Sequence, residues 1–267
     1  MNRALLRHTW LVQRVRLAIV SIALAVWGFV LPVIYARYGA QFSALMKSGI
    51  FPKEFTRLGG GDVFSLSGSI ALGFIHPIAI ILTSVFSVGF SAGAIAGERQ
   101  RGTLEVALAR PISRRAFYLT LFAAAFGFVA VTVASLLAGG IAGSLFAGVI
   151  GELSIRNLPL LWLNGVLLFG SFMAIGLAAS ASFDRLPPAL GMTIGVVVVM
   201  YFFDVLGSLW PAAELLQPYS LFHYLKPKAI LVGAGSVLDD AVLAAVIVAA
   251  TVWALVLFPR RDLAAPS

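Results

Sequence analysis

Six apolar stretches of bilayer length leave this chain little choice but to fold inside a membrane. They run Leu17–Ala36, Ser69–Gly97, Ala116–Ile150, Pro159–Ser182, Ala189–Trp210 and Ala241–Phe258, and about twenty apolar residues in helical form cross a bilayer core. Hydrocarbon offers the backbone no partner, so each stretch must satisfy its own N–H and C=O groups as a helix. The fold class expected is all-α integral membrane, with six transmembrane helices in a single domain over residues 1–267. With 60% hydrophobic and 11% charged residues, the chain has too little polar surface to cover a soluble globule.

Two stretches need interpretation. The third is too long for one straight crossing, yet a break at Gly139-Gly140 would leave only Ile141–Ile150 as a second piece. It reads as one long, tilted or bent helix. The first resembles a secretion signal in position, but it is long for one, contains Trp27 and Pro32, and lacks a small-x-small cleavage site. It reads as a retained span.

The formal charge of +8 sits in arginines at the ends of apolar runs, where lipid headgroups and membrane topology require them. Nucleic acid is not the expected partner. Arg3, Arg7, Arg14 and Arg16 precede the first span, which places the N-terminus in the cytoplasm, and six spans return the C-terminus there. Twelve basic residues then lie inside and seven outside. The expected location is a bacterial-type cytoplasmic (inner) membrane. Within residues 1–16, Arg3, Arg7 and Arg14 share a narrow arc while Leu5, Leu11, Val12 and Val15 occupy another face. That pattern describes an interfacial helix along the inner leaflet, either a plain anchor or one that also touches a partner.

Two outer segments, Tyr38–Gly68 and Pro211–Asp240, are too long for tight turns and are expected to be structured. The second, residues 211–240, is apolar but interrupted by prolines. It can dip into the membrane only if its freed backbone groups are buried in protein or face a wet cavity. Gly59-Gly60-Gly61 lacks the Lys-Ser or Lys-Thr of a phosphate cradle and reads as a flexible turn.

Chemistry-bearing motifs are absent. No phosphate-binding loop, metalloprotease helix or nucleophile elbow occurs, and there is no cysteine. No catalytic or metal site and no cofactor are therefore assigned to this chain. Two ionisable residues lie within spans, His76 in the second and Asp204 near the outer end of the fifth. Each reads either as a substrate or gating residue or as a satisfied polar group, His76 beside the kink that Pro77 imposes and Asp204 hydrated near the interface. A proton-driven carrier usually needs more such groups.

One polar island, residues 98–115, holds five arginines and two glutamates between the second and third apolar runs. Gly89, Gly93 and Gly97 lead into it as a small-residue stripe open to close helix approach. Thr103 can cap a short helix whose Leu104, Ala107 and Leu108 share a face, leaving Glu105 and Arg110 for polar contacts. Pro111 stops that helix, and Ser113 can cap the third span. Arg114 and Arg115 also serve as topology anchors.

Gly97-Glu98, Gly102-Thr103-Leu104-Glu105, Leu108, Pro111, Ser113 and Arg114 together resemble the G-E-x-x-x-G-T-L-E-x-x-L-x-x-P-x-S-R pattern of the ABC type-2 permease family. These are the membrane subunits of many ABC exporters. Ala107-Leu108-Ala109 departs mildly, standing where members often carry a Leu-Leu pair. The resemblance implies that Thr103–Arg110 is a short cytoplasmic coupling helix docking on a separate ATPase subunit, with Glu98 bracing its junction to the membrane. Arg101 and Gly102 belong to the same coupling segment.

It further implies two copies of the unit, identical or paired with a relative, and ATP and Mg on the partner ATPase. The inner connection Phe183–Pro188, with Asp184 and Arg185 its charges, would be a second cytoplasmic contact or a plain tight turn. The pairs Gly139 with Gly143 and Gly191 with Gly195 read as ordinary helix packing. An ATP-independent secondary carrier or channel is the rival reading, and a stand-alone intramembrane enzyme comes third. The apolar spans lean toward an amphipathic or lipid-like cargo.

Overall fold

A computed structural model describes residues 2–47, 65–109 and 112–261. Arg110, Pro111, the triple glycine at 59–61 and most of the first outer segment lie outside the described residues. Among the described residues there is no strand.

The first helix, α1 (Arg3–Lys47), is continuous over 45 residues with Pro32 inside it. Asn2 starts it by accepting the Leu5 N–H at 3.0 Å. The expected boundary between an interfacial helix at 1–16 and a span beginning at Leu17 is absent. No glycine or proline precedes Gly28, so nothing in the sequence stops the helix at the interface. At a rise of about 1.5 Å per residue it reaches about 67 Å, roughly twice a bilayer core.

The second apolar run is broken. Helices α2 (Leu66–Ile75) and α3 (Pro77–Ser84) meet at His76, a π-turn follows over Val85–Phe90, and α4 (Ser91–Gly93) completes the run. The two halves bend by 45°. Pro77 causes the bend, because it has no N–H for the Gly73 carbonyl. The indole N–H of Trp27 on α1 takes that carbonyl at 3.2 Å. Two short helices then form the island, α5 (Ala96–Gln100) and α6 (Thr103–Leu108).

Helix α7 (Arg114–Phe146) is one unbroken helix of 33 residues, capped by Ser113, which accepts the Ala116 N–H at 3.2 Å. It runs along α1 at backbone contact. A Cβ on Gly139 would lie 2.0 Å from the Ala25 carbonyl oxygen, and one on Gly143 would lie 2.2 Å from that of Phe29. Only glycine permits this seam. The stripe Gly89, Gly93 and Gly97 meets nothing closer than 3.6 Å, so the tight approach lies elsewhere than the spacing suggested.

Helix α8 (Leu158–Ser182) is the most enclosed span, and α9 (Leu186–Leu209) and α11 (Val237–Leu257) are the most exposed. Among the described residues, Gly191 and Gly195 on α9 face no atom within 4 Å. Among the described residues, five helices are long and apolar enough to cross a membrane, and six when the bent pair counts as one span.

Between α9 and α11 the chain forms two 3-10 segments, Pro211–Tyr219 and Leu221–Tyr224, and the short α10 (Pro227–Leu231). Side-chain hydrogen bonds in both directions tie this proline-interrupted stretch to α8 and α9 and to the residue that precedes α8. Ser220 donates to the Met200 carbonyl at 2.6 Å, Asn164 donates to the Tyr224 carbonyl at 3.1 Å, and Asn157 donates to the Leu231 carbonyl at 3.1 Å.

Candidate functional site

The island is a knot of hydrogen bonds at the end of the second span. The Ser180 hydroxyl accepts both the Ile95 and Ala96 N–H groups at 2.9 Å, which fixes the start of α5 against α8. The chain then reverses through Gly102, whose φ of 70° is the left-handed conformation that glycine adopts without strain. Glu98 ties both sides of this reversal. Its carboxylate accepts from Arg101 and from the Thr103 hydroxyl, and its backbone carbonyl accepts from the same hydroxyl at 3.1 Å. Thr103 thus reaches back to Glu98, and Gly102 takes the N-cap position that the sequence had suggested for Thr103.

Residue positions within α6 differ from the expectation in one respect. Leu104 is buried and Ala107 and Leu108 pack half-buried against the chain's own core, so the apolar face is turned inward. Arg101 and Glu105 are exposed, and Val106 is 72% exposed. A single helical face cannot serve two surfaces, and the core claims this one. Beneath α6, a cavity of about 370 Å³ is lined by Asn2, Leu5, His8, Thr103, Val106 and Phe117. The start of α1 therefore lies beside the island, and its Asn2 N–H donates to Thr120 on α7 at 3.0 Å.

A second cluster joins three remote segments. Arg99 pairs with Asp184 at 3.1 Å, and the same carboxylate oxygen takes the Arg261 guanidinium. Arg261 also donates to the Ala181 carbonyl at 3.1 Å. Gln100 accepts the Leu186 N–H at 2.9 Å, so the α8–α9 turn is bound to the island twice. Arg114 closes the cluster by donating to the carbonyls of Pro259 at 3.2 Å and Arg261 at 2.6 Å. Arg185 stands exposed. The roles of Arg99, Gln100, Ser180 and Arg261 were not legible in sequence, because each partner is 77 or more residues away.

At the opposite end, His76 and Asp204 line one cavity of about 500 Å³ with Tyr201, His223, Lys226 and Lys228. His76 ends α2 and starts α3, accepting the Ile78 N–H on Nδ1 at 3.2 Å. Its ring lies 4.6 Å from that of Trp27. His76 thus stands beside the kink and on the cavity wall at once. Lys226 pairs with Asp239 at 3.0 Å. His223 lies below its ordinary pKa, chiefly through burial and then the nearby Lys226 charge, with Asp239 opposing.

Helices of spanning length packed around a broken span describe a multi-pass membrane protein. Residues 11–263 match the model of the ABC-2 family transporter protein, and the chain belongs to that family. It is the membrane domain of an ABC transporter permease. A search of curated proteins gives no match.

Proposed function

We propose that this chain is the permease subunit of an ATP-driven exporter, in which the α5–α6 island receives motion from a separate ATPase holding ATP and Mg. The observation that carries the reading is the position of Glu98. It ties the end of the second span to the lateral helix across a glycine reversal, so displacement of α6 must pull on the span. Asp184 extends that rigid block to the α8–α9 turn and the C-terminal segment. In this reading the island lies in the cytoplasm with both termini, and Arg101, Glu105 and Val106 present the docking face. A second permease copy would cover the exposed apolar face of α9 around Gly191 and Gly195, the remainder facing lipid.

Two substitutions test the coupling. Val106→Asp places a charge on the exposed face and should cut ATPase copurification about tenfold, a loss of roughly 1.4 kcal/mol. Glu98→Gln weakens the Arg101 tie while keeping an acceptor for Thr103. It should leave the complex assembled but reduce transport per ATP hydrolysed. Wild-type behaviour of both variants in copurification and in substrate-stimulated ATPase activity would remove the assignment.

A further inference from the structure

The cavity between the bent outer half of the second span and α9 contains charge that the fold does not use. Its apolar wall is Leu72, Ile75, Val205 and Phe222. Of its charged side chains, Lys226 is closed off by Asp239. Ser208 and Gln217 are also engaged, holding the first 3-10 segment against α9 through a bond of 3.0 Å. Two groups of opposite sign are left. Among the described residues, the Asp204 carboxylate accepts no hydrogen bond and forms no ion pair, and Lys228 forms no ion pair. Each is partly buried. Partial desolvation of a charge without a partner is costly, and such groups inside a membrane protein mark ligand positions.

Geometry sets the kind of ligand. Asp204 lies five residues from the end of α9, about 7.5 Å along the helix. The strongest contacts of α9 with the second run are at the π-turn, α4 and α5, and beyond them the 45° bend at His76 carries the outer half away. The wedge so formed is flanked by exposed Pro77, Ile78 and Leu206, so it opens sideways toward lipid as well as outward. Its volume of about 500 Å³ holds a headgroup and the first acyl segments, leaving chains to pass through the lateral opening.

We propose that this cavity binds a zwitterionic amphiphile, with its anionic group at Lys228, its ammonium at Asp204 and its apolar part along Leu72, Ile75 and Phe222. His76 and Tyr201, on the same cavity wall, supply further polar contacts. Calling this ligand a cargo rests on the permease reading above; its binding does not.

The test uses the purified full-length chain in detergent, without ATPase or nucleotide. Equilibrium dialysis compares radiolabelled dihexanoyl phosphatidylethanolamine with dihexanoyl phosphatidylglycerol, which is only anionic, and dihexanoyl trimethylammonium-propane, which is only cationic. The zwitterion should bind saturably and at least about tenfold more tightly than either, since each charge-assisted contact contributes on the order of a factor of ten. Asp204→Asn should erase the preference over the anion, and Lys228→Gln should erase the preference over the cation. Misfolding cannot produce that crossed pattern. Glycerophosphoethanolamine, which lacks acyl chains, should bind at least about tenfold more weakly; equal binding would overturn the amphiphile and leave a soluble zwitterion.

Equal affinity for all three lipids, or an unchanged preference in both variants, would overturn the site itself. Crossed selectivity without ATP-dependent transport of the bound lipid in the assembled complex would support the site and count against the permease reading. Transport with no such selectivity would do the reverse.

Discussion

Asp184 and Asp204 stand at opposite ends of the bundle and in opposite circumstances. Asp184 holds Arg99 and Arg261 at once, stitching the island, the α8–α9 turn and the C-terminal segment together. Asp204 lines a cavity with Lys228, and its carboxylate has no partner among the described residues. The contrast separates two uses of a carboxylate in a membrane protein. One makes remote segments move as a unit, and the other keeps binding energy uncommitted until a ligand arrives. Both ends are joined by one polypeptide path, from the His76 hinge through the π-turn to Glu98.

The same substitution at each end should break this comparison most sharply. Asp184→Asn weakens the junction that Arg99 and Arg261 make on one carboxylate and should cost on the order of 2 kcal/mol. Asp204→Asn removes a charge without a partner and should leave stability unchanged or slightly raised. Thermal unfolding of the two purified variants decides the matter, and equal destabilisation would mean that Asp204 is structural.

A smaller effect is expected at the hinge. Trp27→Phe keeps a ring against His76 but removes the donor to the Gly73 carbonyl, at a cost of about 1 kcal/mol. Hydrogen exchange in α2 and α3 should rise while the α5 amides stay protected. Uniform acceleration along the whole second span would show that the hinge and the island are not separable.

The smallest effect concerns pH at the cavity end. His223 has a lowered pKa in the folded protein, so the unfolded chain binds its proton more readily. Stability from this group is complete above the ordinary value of 6.5 and is lost as pH falls below it toward the folded value. A melting-temperature profile between pH 8 and pH 5 should decline at its acid end, and His223→Gln should flatten that component. An unaltered profile in the variant would assign the decline to other groups.

Much of the architecture was legible because hydrocarbon enforces it. A run such as Pro159–Ser182 has no alternative to a helix, and α8 (Leu158–Ser182) differs from it by one residue. Pro77 announced the kink through a missing N–H, whereas the reversal at Gly102 emerged only from its backbone, with φ at 70°. Local rules failed where two helices compete for one face. The stripe Leu104, Ala107 and Leu108 marks an apolar surface, but nothing in its spacing says whether a partner or the chain's own core will cover it. The same ambiguity let Gly89, Gly93 and Gly97 suggest a tight seam that forms at Gly139 and Gly143.

By itself the sequence determined the helical class, the number of apolar runs, the kink at His76 and the polar island with its family pattern, since these follow from backbone hydrogen bonding and residue chemistry within a few positions. Tertiary structure alone decided that Asp184 meets Arg99 and Arg261, that Trp27 caps the Gly73 carbonyl, and that His76 and Asp204 share a cavity. Those pairings join residues far apart in the chain, and only the packing of whole helices fixes which side chains come within the few ångströms over which hydrogen bonds and ion pairs act.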